Sequence, residues 1–330
     1  MRFFKKIAII FAFALVFTQI ANTNIFVYAD ETELYVGGFT SGFTIRPQGA
    51  YVIGLSDVVT DDYIDSPAKN ADITVGDIIL DIDGKKVDGA MGIASALSSS
   101  DGSPIEITVK RGDMTLKKFI TPKKDKSGAY KLGVLIKDDL SGIGTITYFT
   151  KDGNFGALGH PVLDDKNEIF EINGGTAYLC SVIGVNKGEK GKPGELKGIF
   201  IEDTIIGEIL YNRPSGIYGK ADKSFDYKKY PLMSVGTPTA GKASVLTCVD
   251  GVNAVEYSID IVKTDLNNKE NKNLVISVTD KKLLSITNGI LQGMSGSPII
   301  QGGKIVGAVT HVFINDPTKG YGISIDNMLI

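Results

Sequence analysis

The sequence predicts a mainly β protein built from a small α/β module followed by a larger all-β domain. Short runs of Val, Ile and Thr recur along the chain, with Gly, Asp and Asn turn signals between them. Gly is abundant at 39 residues and Trp is absent. A length of 330 residues suits two domains. The composition, 43% hydrophobic and 22% charged, is that of a folded chain, and a net charge of −3 argues against a nucleic-acid partner.

The first 29 residues stand apart. Arg2, Lys5 and Lys6 form a basic start, Ile7 to Phe17 an apolar core, and Val27-Tyr28-Ala29 a small-residue cleavage site. This reads as a signal peptide or a membrane anchor, and in either case the rest of the chain is exported. Outside the cytosol Cys180 and Cys248, the only two cysteines, are open to pairing as one disulfide or to burial as two thiols.

Residues 33–122 are expected to form the first unit. "GAYVIGLSDV" is an apolar strand entered through Gly49. Pro67-Ala68 opens a short helix, and Gly76-Asp77 turns the chain into the buried strand Ile78-Ile79-Leu80. Asp83-Gly84 signals a hairpin, Met91 to Ser98 a helix, and Arg111-Gly112-Asp113 a second hairpin. The stretch "SPAKNADITVGDIILDIDGKKV" resembles the bacterial type of PDZ domain found beside exported proteases. That resemblance implies peptide binding by strand addition, with Gln48, Gly49, Ala50 and Tyr51 as the loop that would hold a terminal carboxylate. The loop differs from the usual Gly-Leu-Gly-Phe type.

Lys123 to Gly128 is polar and reads as a linker to the second unit, 129–330. There "KLGVLI" and "GIGTITYF" begin a series of strands whose spacing favours a barrel or sandwich. The Lys/Gly-rich stretch 186–198 reads as a solvated hairpin tip, with a self-cleavage site as the alternative.

The chemistry concentrates in two motifs. Ser295 lies in Gly-Met-Ser-Gly-Ser-Pro, just ahead of two apolar runs joined by Gly-Gly-Lys. A nucleophilic serine needs a base beside it and amides to hold an oxyanion, and the backbone N–H groups of Gly293 and Ser295 are placed to serve. Gly296 leaves room for a substrate backbone. Ser297 is the rival nucleophile. Of the two histidines, His160 in "FGALGHPV" lies in an accessible turn and is the candidate base. His311, in "GAVTHVF", reads as a core or groove-lining residue. Two histidines in distant segments lack zinc-ligand spacing, so no metal or cofactor is expected. The third member of a triad is open among Asp280, Asp164, Asp165, Asp203, Asp250 and Asp260, because triad members meet only in three dimensions.

The serine motif resembles the Gly-Asp-Ser-Gly-Gly-Pro of chymotrypsin-like proteases, which implies a double β-barrel. Over its length the chain resembles the stage IV sporulation protein B peptidases, through "LGVLIKDDLSGIGTITYF", "FGALGHPVLD", "TNGILQGMSGSPIIQGGK" and "GAVTHVFINDPTKGYGISI". The resemblance implies His160, Asp280 and Ser295 as the catalytic set. It also implies export into the space between forespore and mother-cell membranes, self-cleavage, and cleavage of a membrane-bound regulator that leads to activation of a late sigma factor. The rival expectation is a catalytically inactive PDZ adaptor or an envelope binding protein.

Overall fold

β1 (Glu33–Val36) and β2 (Thr40–Pro47) come first in the computed structural model, which describes residues 32–164 and 167–329. The predicted export segment 1–29 and the candidate Asp165 lie outside the described residues. From Glu33 onward the chain makes one compact unit. No helix among the described residues is long and apolar enough to cross a membrane.

β2 does not continue into the PDZ sheet as expected. It pairs antiparallel with β8 (Leu140–Phe149), with Ile45 opposite Leu140 and Thr40 opposite Thr145. Between the arms of that hairpin lies the whole small module. It holds β3 (Ala50–Leu55), α1 (Pro67–Asn70), β4 (Ile78–Ile82), α2 (Gly89–Leu97), β5 (Ile105–Arg111), β6 (Met114–Ile120) and β7 (Val134–Lys137). The sheet runs β7-β3-β4-β5-β6 over a core of Val52, Ile79, Ile93, Leu97 and Ile107. The boundaries expected at 33–122 therefore shift at both ends. The first two strands belong to the larger domain, and β7, predicted to open that domain, is an edge strand of the module. The physical reason is pairing: β2 and β8 satisfy each other's backbone groups, so the module is an insertion in a hairpin.

The larger domain is two closed barrels. The first runs β2, β8, β9 (Asn154–Ala157), β12 (Gly216–Ala221), β11 (Glu195–Arg213) and β10 (Ile172–Asn186), and closes where β10 pairs β2; β1 and a short β13 (Leu232–Ser234) extend it. The second closes in the order β14 (Gly241–Thr247), β15 (Val255–Thr264), β16 (Leu274–Val278), β19 (Asp316–Ser324), β18 (Lys304–Phe313) and β17 (Pro298–Gln301). α3 (Lys281–Thr287) follows β16, and α4 (Ile325–Met328) follows β19. The strands are rich in β-branched residues that pack inward, as barrel interiors require. Phe43, Ile146, Phe149, Phe155 and Ile209 fill the first barrel, and Ile259, Ile276, Ile299 and Val309 the second. This is the expected chymotrypsin-like pair of barrels.

The barrels meet along a buried polar seam. The last six residues of β8 are all buried, because one face lines its own barrel and the other meets the second. Thr145 and Thr147 meet the turn 293–296: Thr145 Oγ1 donates to the Gly293 carbonyl at 3.0 Å and Thr147 Oγ1 to the Gly296 carbonyl at 2.7 Å. Ser297, fully buried, donates to Thr247 Oγ1 at 3.0 Å. Cys180 on β10 and Cys248 after β14 are both buried and present as free thiols, and burial raises the Cys180 thiol to about 11.

The module also packs on the first barrel. Tyr51 and Ile78 join its core cluster, and Tyr51 meets Phe170 edge-on at 5.3 Å. Joining Pro47 directly to Asp138 would leave residues 46, 47, 138 and 139 as a four-residue loop closing the Ile45–Leu140 pair, a common hairpin length. The variant lacking 48–137 is expected to keep its barrel circular-dichroism signal and to lose up to about 10 °C in Tm from the lost contacts. Failure to fold would contradict the insertion topology.

Candidate active site

Two consecutive turns build the serine loop. The Met294 amide donates to the Leu291 carbonyl at 3.1 Å and the Ser297 amide to the Met294 carbonyl at 3.0 Å. In each the third residue is a glycine with positive φ, Gly293 at +97° and Gly296 at +92°, as type II turns demand. At Gly296 a Cβ would lie 2.2 Å from the Thr145 carbonyl oxygen and 2.5 Å from the Leu158 nitrogen. The sequence read Gly296 as room for substrate; the structure shows that the room is taken by the first barrel. That contact, with the Thr145 amide donating to the Ser295 carbonyl at 2.9 Å, fixes the turn. Among the described residues the amides of Gly293 and Ser295 donate to no protein acceptor, leaving two free N–H groups on one turn.

His160 arrives on a strained approach. Leu158 has φ +68°, and the Gly159 amide donates back to the Ala157 carbonyl at 2.9 Å, a tight γ-turn rarely adopted by a branched residue. The Leu158 amide is held by the Thr145 carbonyl at 3.2 Å, so one residue of β8 anchors both the serine turn and the histidine turn. His160 Nδ1 lies 2.9 Å from the Pro161 carbonyl. A carbonyl only accepts, so in the neutral ring Nδ1 carries the proton and Nε2 presents a lone pair. Burial holds the imidazole below its ordinary pKa of 6.5, partly offset by that hydrogen bond.

Ser295 and His160 line the same cleft of about 470 Å³ between the barrels. Its walls include Phe43, Ile45 and Ile143 from the hairpin that carries the inserted module, and Ile290, Leu291 and Val312 from the second barrel. Among the described residues no Asp, Glu, Lys or Arg lines it. The Ser295 hydroxyl donates to the Thr310 carbonyl at 2.7 Å in this resting arrangement. The His311 ring lies 4.9 Å from that of His160. The sequence expectation of a groove-lining His311 thus matches its place, and desolvation, then the His160 and Lys272 charges, keep it neutral.

Other expectations need correction. Asp280 is the N-cap of α3. Its carboxylate accepts from the Leu283 amide at 2.9 Å and the Ser258 amide at 3.4 Å, bonds that hold it below the usual carboxylate range. It makes no hydrogen bond to His160. The Pro161 carbonyl occupies the Nδ1 position where the triad pattern places an aspartate. Asp164, Asp203, Asp250 and Asp260 do not line the cleft either. Ser297, the rival nucleophile, is sealed in the seam. The expected carboxylate loop is committed to the fold. Gln48 donates its amide to the Glu171 carbonyl at 3.3 Å, a Cβ on Gly49 would meet the Ile79 carbonyl at 2.6 Å, and Ala50 and Tyr51 are buried between β4 and β7.

Thr145, Thr147 and Pro161 were not foreseen as site residues. The signal for the threonines was present: polar residues at alternate positions inside the otherwise apolar run "GIGTITYF". The stretch 186–198 is the predicted hairpin tip, but it also leans on the site: Asn288 donates to the Gly188 carbonyl at 2.6 Å, and Pro193 lines the cleft.

Two six-stranded barrels with a glycine-framed serine and an imidazole in the cleft between them define a serine peptidase of the double-barrel class, here carrying an inserted PDZ module. More narrowly, the chain belongs to the SpoIVB peptidase S55 family, whose model matches residues 128–329. A PDZ domain model matches residues 58–111. A protein of Clostridium perfringens named as a candidate zinc metalloprotease is 36% identical over 69 residues, 21% of this chain and 21% of that protein. The chain thus spans about a fifth of the length of that curated relative. A solved PDZ domain of an SdrC-like protein from Listeria monocytogenes is similar at 27% identity, covering 27% of this chain and 87% of that one, with a TM-score of 0.22.

A cap and a triad acid respond differently to substitution. Asp280→Asn should keep the cap and change fluorophosphonate labelling less than threefold, whereas loss of a triad aspartate costs about 10⁴ in rate. Asp280→Ala should lower stability by about 1 kcal/mol in denaturant melts. Gly296→Ala, strained in φ and blocked by Thr145, should cost about 2 kcal/mol or more in the same assay.

Proposed function

We propose that the chain is an exported serine endopeptidase of sporulation signalling. It cuts itself and a membrane-associated regulatory protein, and so starts activation of a late sigma factor. Family membership supports the biological setting, and the basic-then-apolar start of the sequence supports export. The chemistry rests on one observation: Ser295, an imidazole with Nε2 unprotonated, and two unengaged amides share a cleft lined, among the described residues, by no charged side chain.

In this reading the Ser295 hydroxyl turns from the Thr310 carbonyl toward His160 Nε2 and attacks the scissile carbonyl while the imidazole takes its proton. The amides of Gly293 and Ser295 hold the oxyanion. His160 then protonates the leaving amine, and water, activated by the same imidazole, releases the acyl group. Pro161 keeps the tautomer in place of an aspartate. A carbonyl dipole stabilises the imidazolium less than a carboxylate would, so a modest turnover is expected. The apolar walls favour uncharged, bulky side chains beside the bond that is cut.

A second reading, an inactive PDZ adaptor, draws on the resting hydrogen bond of Ser295 to Thr310. Catalytic contacts often tighten only when substrate binds, which favours the enzyme. The two readings part on a simple comparison. Ser295→Ala should abolish self-cleavage and cleavage of a co-expressed target, seen by mass spectrometry; undiminished processing by the purified variant would sink the assignment.

The imidazole also sets a pH signature. Its pKa is lowered in the fold, so the base stays deprotonated at lower pH and the acid limb of kcat/KM should fall below 6.5, the ordinary histidine value. A limb at or above 6.5 in a pH–rate profile would contradict the buried, neutral His160.

A further inference from the structure

The edge of the PDZ sheet that would receive a peptide is already filled by the chain itself. β7 lies antiparallel to β3, with Leu135 opposite Gly54, Ile136 opposite Val52 and Lys137 opposite Tyr51. It runs toward residues 48–49, antiparallel to β3 as a strand-adding peptide would lie. α2 packs against β3 and β7 alike, so the strand sits where a strand-adding ligand would. Val134 and Ile136 turn inward onto the module's core, while Leu135 and Lys137 face out. That alternation is how a strand-adding ligand uses its side chains.

Both ends of β7 are pinned. The Ser56 amide donates to the Gly133 carbonyl at 2.9 Å and the Ala68 amide to the Leu132 carbonyl at 2.9 Å. At the far end the Ala90 amide donates to Asp138 Oδ1 at 2.7 Å, so Asp138 supplies the cap that the Asp88 side chain does not give α2. The groove is not closed over. A cavity of about 1260 Å³ remains between α2 and residues 124–136, with Ile53 and Val59 on its rim, both more than 40% exposed.

We infer that Val134–Lys137 is a tethered ligand of the PDZ groove, and that the groove takes a second protein only as an extended segment, apolar at alternate positions, that displaces this strand. Tethering gives β7 an effective concentration no free peptide matches easily, so an outside ligand binds with an affinity reduced by the fraction of open groove. The inference concerns binding and stands whether or not Ser295 is a nucleophile.

The test uses the full chain and a fluorescent synthetic hexapeptide with the sequence of residues 132–137 and an amidated carboxyl end, read by anisotropy. Val134→Ser with Ile136→Ser should loosen β7 and tighten peptide binding at least tenfold over the unmodified chain. Asp138→Ala, which removes only the anchor on α2, should tighten it about threefold. Gly54→Cys with Leu135→Cys should lock the groove. A Cβ at position 54 lies 3.5 Å from that of Leu135, within disulfide range. Mild oxidation by oxidised glutathione, with release of two reduced glutathione molecules per bond, should abolish binding, and dithiothreitol should restore it in the same sample. Recovery on reduction shows that the locked protein is folded. Equal binding by oxidised and reduced forms, or no gain in either loosened variant, would overturn the inference.

Discussion

The approach of Gly296 to the Thr145 backbone is the constraint on which the rest of the site depends. A side chain at 296 has nowhere to go, so the turn can seat itself against β8 only as glycine. Once seated, Thr145 uses its amide, hydroxyl and carbonyl together: the first two hold the serine turn and the third holds the Leu158 amide before His160. Two segments 135 residues apart in sequence are thereby referred to a single residue of the first barrel. Neither barrel could orient serine and imidazole alone. The cleft exists because the barrels are locked through this polar seam, and the seam tolerates burial because its hydroxyls and carbonyls satisfy one another.

The site is electrostatically spare. Among the described residues it has no carboxylate on the cleft wall, an imidazole held below its ordinary pKa by burial, and a backbone carbonyl on the imidazole Nδ1. Such a site orients well and stabilises charge moderately. The inserted module adds a second layer. β2 and β8 form a cleft wall and also carry the PDZ unit, joined to it through Gln48-Gly49 on one side and Asp138-Asp139 on the other. What happens at β7 is therefore two residues away from a strand that lines the cleft.

Much of this was legible in the sequence where the information is local. Gly293, Ser295 and Gly296 announce a thin turn because glycine tolerates the backbone angles and contacts there. His160 stands out through scarcity and its Gly/Pro flanks. The PDZ repertoire of turns and short helices was equally plain. What failed was long-range. Asp280 precedes the serine as the family resemblance implies for a triad acid, yet "TDKKLLSITNG" also reads as a capped helix that ends at Asn288, which adopts φ +58°. β1 and β2 carry no mark saying which sheet they join, since strand pairing is decided by partners about 100 to 200 residues away. β7 has the alternation of any edge strand, and only the structure shows that its partner is the peptide edge of β3.

Ser295 and His160 line one cleft between the barrels, and the proposed chemistry requires the hydroxyl to meet the imidazole there. Reaction of the folded protein with a fluorophosphonate, followed by peptide mapping in a mass spectrometer, addresses it directly. A single adduct on Ser295 is expected, absent after substitution of His160 by Gln. An adduct on Ser297, or none on the intact protein at neutral pH, would contradict it.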